Sequence, residues 1–82
     1  MSNQPESAQK LAGLPVGTRV RIDAMNLPDD TFQRLLEMGL MVGTECQIER
    51  YAPLGDPIEI KIRGYHLSLR ASEAANIQVA LL

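Results

Sequence analysis

Residues 58–70 read IEIKIRGYHLSLR, and on both sides of the glycine isoleucine or leucine alternates strictly with other residues. A period of two is typical of a β-strand that buries one face. The pair Gly64–Tyr65 suits a two-residue type II′ turn, which takes glycine at its first central position. Such a turn places Ile60 opposite Leu69, and a slip of one residue would set apolar side chains against polar ones. The stretch therefore predicts a β-hairpin with one face in a core.

A short repeat lies upstream of this hairpin. Residues 14–22 read LPVGTRVRI and residues 40–48 read LMVGTECQI, so each copy has an apolar lead-in, a glycine turn and an alternating strand. Two copies are too few for a solenoid. The repeat instead indicates two turns that enter two strands of a sheet that folds back on itself.

The segment between the two copies has the pattern of a helix. Asp30 suits the N-cap, with Gln33 three residues on as a variant of the capping box. Gly39 is placed for the left-handed residue that ends a helix. A stripe with the spacing i, i+3, i+4 is expected to face the core, and it consists of Phe32, Leu35 and Leu36.

The rest of the chain completes a single domain. Residues 1–10 are polar and predict a disordered tail, and residues 11–82 form the domain. Ser72 suits the cap of one helical turn, and Ile77–Leu81 suits a last strand. The predicted class is mainly β with one inserted helix, a small SH3-like barrel of about five strands. An OB-type barrel is the main alternative.

Composition argues against several functions. The net charge of −2 does not favour a general nucleic-acid binder. Cys46 is expected inside and His66, the only histidine, outside, so no nucleophile and base should meet and the chain is not expected to be an enzyme. No cofactor or metal site is expected within one copy, although His66 leaves open a metal site shared between two copies. The first residues carry no signal peptide and the apolar runs are too short to span a bilayer, so a cytoplasmic protein is expected.

Two surfaces are candidates for binding a partner. The first is the loop 52–57, where two prolines lower the cost of ordering and Leu54 would face water unless a partner covers it. The alternative is a rigid loop that folds Leu54 back onto the barrel. The second is a cluster of basic residues on the strands, which is interpreted as a solvated face that could also meet an acidic partner. The loop residues are Ala52, Pro53, Leu54, Gly55, Asp56 and Pro57. The basic residues are Lys61, Arg63 and Arg70, with Arg19 and Arg21 on another strand.

Three segments in order, residues 34–44, 52–58 and 63–70, closely resemble the FeoA family, and the likeness runs from about Leu11 to Val79. The resemblance implies a small SH3-like barrel in the cytosol that supports FeoB, the membrane ferrous iron transporter with a cytosolic GTP-binding domain. It implies action by protein contact, without catalysis or membrane insertion, by a monomer or weak homo-oligomer. We expect the loop 52–57, with Arg34 and Glu37 of the helix, to contact the transporter.

The same resemblance leaves one alternative. This barrel also occurs as the C-terminal domain of iron- and manganese-responsive repressors, so a metal-responsive regulatory module is the second hypothesis. The chain lacks the helix-turn-helix and the metal-ligand set that those repressors carry upstream, and its N-terminal methionine is not what a fragment would show.

Overall fold

The computed structural model describes residues 9–82, which form one antiparallel sheet and two short helices. In chain order the elements are β1 Gln9–Lys10, β2 Arg19–Met25, α1 Asp29–Glu37, β3 Glu45–Tyr51, β4 Ile58–Ile62, β5 Tyr65–Leu69, α2 Ala71–Ala74 and β6 Ile77–Leu81. The strands lie in the sheet in the order β1-β6-β2-β3-β4-β5. Helix α1 lies between β2 and β3, and helix α2 lies between β5 and β6. None of the described helices is long and apolar enough to cross a membrane.

Two residues that were predicted to belong to the N-terminal tail form a strand. Gln9 and Lys10 form β1, which pairs with β6 through Gln9 opposite Val79. This strand raises the predicted five strands to six within the described residues. This strand could not be predicted, because two polar residues are too few to show an alternation. The rest of the predicted tail, residues 1–8, lies outside the described residues.

The core is aliphatic, as the low aromatic content predicts. The alternating positions of β2, β3, β4, β5 and β6 point inward, and Leu35 and Leu40 cover them from the helical side. Cys46 lies among them with 6% of its surface exposed, which confirms the expected buried position. The largest fully buried side chains are Leu11, Val20, Ile22, Leu35, Leu40, Ile48, Ile58, Ile60, Leu69, Ile77 and Val79.

The predicted hairpin of β4 and β5 forms, but its predicted register is wrong by two residues. Ile60 lies opposite Leu67 rather than Leu69, and Ile62 lies opposite Tyr65. Gly64 is the second central residue of the turn, with φ +83°, whereas a type II′ turn needs the glycine first. A shift of two residues keeps every side chain on its own face, so the alternation could not distinguish the two registers.

Helix α1 ends as predicted and begins earlier. Gly39 has φ +95°, its amide donates to the Leu36 carbonyl and the Leu40 amide donates to the Leu35 carbonyl, which is a Schellman motif. The predicted cap at Asp30 is wrong, because Pro28 is the N-cap residue and its carbonyl accepts from Phe32. The predicted stripe is confirmed only at Leu35; Phe32 and Leu36 are half-buried and do not belong to the core cluster.

The two repeat copies are interlocked. The Gly17 amide of the first copy donates to the Ile48 carbonyl of the second at 2.8 Å, and the Gly43 amide of the second donates to the Ile22 carbonyl of the first at 2.8 Å. Between these bonds Val20 lies opposite Cys46, the residue at the same position in the other copy. The copies are therefore related by a local two-fold axis through the β2–β3 pair.

Candidate partner-binding surface

The loop 52–57 is a closed turn between β3 and β4. The Gly55 amide donates to the Ala52 carbonyl at 2.7 Å, and the Ala52 amide donates to the Pro57 carbonyl at 3.0 Å. Proline at the second position of the turn and glycine at the fourth are preferences of a type I turn. The backbone of the loop is thus held by its own hydrogen bonds before any partner arrives.

Asp56 ties this loop to helix α2. Its carboxylate accepts a hydrogen bond from the Ala71 amide at 3.0 Å, at the first residue of the helix. The predicted cap at Ser72 is wrong, because Arg70 is the N-cap residue and its amide donates to the Glu73 carboxylate at 2.9 Å. The loop and the start of α2 are therefore joined through Asp56.

Leu54 stands at the tip of the loop with 97% of its surface exposed. The alternative in which Leu54 folds back onto the barrel is therefore wrong. Burying a leucine side chain stabilises a fold by about 1.5–3 kcal/mol. Leu54 contributes none of this to the barrel, because the closed turn holds its side chain in water. It is the feature of this surface most suited to a protein partner.

Arg34 and Glu37 have different surroundings. The Arg34 guanidinium forms an ion pair with the carboxylate of Glu73, whose side chain is only 9% exposed. Glu37 is exposed and accepts from the Gln33 amide at 3.3 Å, one helical turn away. Arg34 therefore joins α1 to α2, a role that the sequence did not reveal, while Glu37 remains free to contact a partner.

The structure also exposes apolar side chains that sequence reasoning missed. Three of them follow α1 in sequence, and the fourth, Val16, stands at the same position in the first repeat copy as Val42 does in the second. The repeat could have identified two of them, because Val16 and Val42 each stand directly before the turn glycine of their copy and are exposed in both. These side chains are Val16, Met38, Met41 and Val42.

The candidate nucleophile, Cys46, and the candidate base, His66, lie in different surroundings. Burial raises the pKa of the Cys46 thiol to about 11, so the reactive thiolate is scarce at neutral pH. His66 is exposed on the outer face, where its Nδ1 lies 3.8 Å from the Glu59 carboxylate. The prediction that one lies inside and the other outside is confirmed. Within residues 9–82, no three His, Cys, Asp or Glu side chains are grouped so as to hold a metal ion.

A family model described as FeoA domain matches residues 9–81. The chain belongs to the FeoA family. A curated relative, the Fe(2+) transport protein A/Fe(2+) transporter FeoB fusion protein of Porphyromonas gingivalis, is 42% identical over 50 residues, which cover 61% of this chain. The chain spans 6% of the length of that fusion protein.

Solved structures of the family have the same fold. The solution structure of a FeoA protein from Chlorobium tepidum superposes with a TM-score of 0.86 at 36% identity, and the match covers 90% of this chain and 70% of that one. The predicted SH3-like barrel is thereby confirmed over the OB-type alternative. A manganese-dependent transcriptional repressor complexed with manganese matches at 17% identity with a TM-score of 0.85, covering 98% of this chain and 39% of the repressor, which shows a shared fold alone.

Proposed function

We propose that this FeoA-family chain is a non-enzymatic accessory protein of ferrous iron uptake that acts in the cytoplasm by binding the cytosolic part of a FeoB-type transporter. The fusion of the two proteins in the Porphyromonas gingivalis relative supports the association, because fusion keeps two partners at high effective concentration. The chain would act as a monomer or weak homo-oligomer, without binding nucleic acid or entering the membrane.

We propose further that the loop 52–57 is the docking surface. The observation that supports this most is the full exposure of Leu54 on a turn whose backbone is already fixed. One loop supplies well below the roughly 800 Å² per partner of a standard interface. Neighbouring surface must contribute, with Glu37 and the exposed part of Arg34 as candidates, so a transient contact in the micromolar range is expected.

The test compares two aspartate variants of exposed apolar residues. Leu54→Asp changes the loop, and Val42→Asp makes the same chemical change at the other end of β3, where Val42 is also exposed. Calorimetry against the cytosolic part of the transporter should show at least fivefold weaker binding for Leu54→Asp, since anchor residues typically contribute more than about 1 kcal/mol. Val42→Asp should bind as the unmodified chain does.

The thermal midpoint separates docking from folding. Leu54→Asp should leave the midpoint within about 4 °C, because exposed substitutions usually change stability by less than about 0.5 kcal/mol. If Leu54→Asp unfolds the chain, the loop is structural and the docking proposal is wrong. If it folds and binds fully, the docking surface lies elsewhere.

The second hypothesis, a metal-responsive regulatory module, rests only on the fold that this chain shares with the manganese-dependent repressor. It predicts binding of ferrous or manganous ion by the isolated chain. Calorimetry with each ion distinguishes the hypotheses, because the transporter hypothesis needs no such binding.

A further inference from the structure

Residues of β2, of the start of β3 and of the end of β4 line a second surface, an open groove of about 500 Å³. We call it the basic groove. Gln47 lies in its floor, where the side-chain amide donates to the Gly17 carbonyl at 3.1 Å. The charged side chains that line it are Arg19, Glu45, Lys61 and Arg63.

The cations of this groove form no ion pair with a carboxylate of the described residues. Within residues 9–82, Arg21, Arg34 and Arg50 form ion pairs with carboxylates. The cations in the same range that form none are Lys10, Arg19, Lys61, Arg63 and Arg70, and three of these five line the basic groove. With one carboxylate, Glu45, the groove carries three positive charges against one negative, a balance of +2 in a chain of net charge −2.

The sheet fixes the spacing of these charges. Arg19 lies opposite Gln47 and Gln47 lies opposite Lys61, so the backbones of Arg19 and Lys61 are two strand separations, about 10 Å, apart. Arg63 follows Lys61 by two residues and is the first turn residue after β4, so its backbone lies within about 7 Å of that of Lys61, and its side chain lines the same groove. Two carboxylates at alternate positions of an extended peptide have this same spacing.

We propose that the basic groove binds an extended acidic segment of a partner protein. Carboxylates at alternate positions of that segment face Lys61 and Arg63, and Arg19 closes the other side. Glu45 opposes a continuous polyanion, and three cations are fewer than the six to ten phosphate contacts of a strong nucleic-acid binder. A short segment with separated carboxylates fits this pattern of charge better than nucleic acid does.

This surface is separate from the loop 52–57. The basic groove uses the start of β3 and the end of β4, whereas the loop joins the end of β3 to the start of β4. Four residues of β3 lie between Gln47 and Ala52, so these two residues are five steps, or about 17 Å of extended chain, apart. The inference does not depend on the proposed function, and variants of one surface should leave the other unchanged.

The experiment measures fluorescence anisotropy with three labelled decapeptides. One alternates Asp with Ser, one has the same residues with the aspartates in a block, and one replaces every Asp by Asn. In 50 mM salt the alternating peptide should bind at least fivefold more tightly than the block peptide, and the Asn peptide should not bind. Binding should weaken in 300 mM salt, because exposed charges are screened.

Two double variants with the same change of charge test the residues. Lys61→Gln/Arg63→Gln removes two cations of the basic groove and should weaken binding at least fivefold. Arg50→Gln/Arg70→Gln removes two cations that do not line it and should change binding less than twofold. In amide shift mapping, the alternating peptide should perturb residues of β2, β3 and β4 near the groove and leave the loop 52–57 unchanged.

Several results would overturn the proposal. Equal weakening in the two double variants would mean that only net charge matters. If the block peptide bound as tightly as the alternating peptide, the spacing of the carboxylates would not matter, and the proposed match to Lys61 and Arg63 would be wrong. Tighter binding to a single-stranded oligonucleotide or to anionic vesicles than to the alternating peptide would assign the surface to another class of ligand, and shifts confined to other strands would place the contact elsewhere.

Discussion

Gly39→Ala is the substitution for which the structure gives the sharpest expectation. Gly39 has φ +95°, in the region that side chains rarely adopt. A Cβ built there would lie 2.0 Å from the Tyr65 hydroxyl oxygen and 3.3 Å from its Cζ. That hydroxyl donates to the Met38 carbonyl at 2.7 Å, so the new methyl group would displace the tyrosine and break its hydrogen bond.

The two effects can be given magnitudes. Left-handed backbone costs a residue with a Cβ about 1–2 kcal/mol. A hydrogen bond contributes about 0.5–1.5 kcal/mol net to stability. We therefore expect Gly39→Ala to lower the free energy of unfolding by about 2–3 kcal/mol, a large part of what a domain of this size has.

A second glycine supplies the control. Gly43 also has φ +95°, but a Cβ there would meet no atom within 4 Å. Gly43→Ala should therefore lower the free energy of unfolding only through its left-handed backbone, by about 1–2 kcal/mol. Urea unfolding followed by far-UV circular dichroism measures both variants, since the chain has no tryptophan for fluorescence.

Tyr65→Phe completes a double-mutant cycle. Alone it should cost about 0.5–1.5 kcal/mol for the lost hydroxyl bond. In the Gly39→Ala background that bond is already broken, so the double variant should cost about 1 kcal/mol less than the sum of the single variants. If Gly39→Ala costs no more than Gly43→Ala, or if the cycle is additive, the assigned role of Tyr65 is wrong.

Two further predictions concern buried ionisable groups. Because burial raises the pKa of Cys46 to about 11 from its ordinary value of 9.0, the unfolded state loses this proton first as the pH rises. The free energy of unfolding should therefore fall by about 2 kcal/mol between pH 9 and pH 11, and urea titrations of Cys46→Ala should lack this step. Arg34→Ala should cost about 1–3 kcal/mol because it leaves the nearly buried Glu73 carboxylate without its cation, whereas Glu37→Ala on the same helix should cost less than about 0.5 kcal/mol in the same assay. Equal costs for the two helix variants would contradict a supporting role for the ion pair.

Features that depend on local chemistry could be predicted from the sequence. The alternation in β4 and β5 identifies their buried faces, because over that length a period of two indicates a strand with one face buried. Gly39 marks the end of α1, because no other residue adopts its backbone conformation without strain. The resemblance of three short segments placed the chain in its family.

Features that depend on distant residues could not. Arg34 and Glu73 are 39 residues apart, so the sequence showed an exposed arginine and a glutamate in a helical turn rather than one ion pair. The hairpin register was wrong by two residues because both registers satisfy the same pattern. The exposure of Leu54 was left open, since only the hydrogen bonds of the folded loop decide which way its tip projects.

The interlocked repeat has a consequence for hydrogen exchange. Since each turn closes on the strand of the other copy, opening either turn breaks bonds of both, and neither copy can fray alone. The amides of Gly17, Ile22, Gly43 and Ile48 should therefore exchange at a common slow rate set by global unfolding. Helix α1, inserted between the copies, can open without releasing them, so its amides are free to exchange faster while the barrel stays closed.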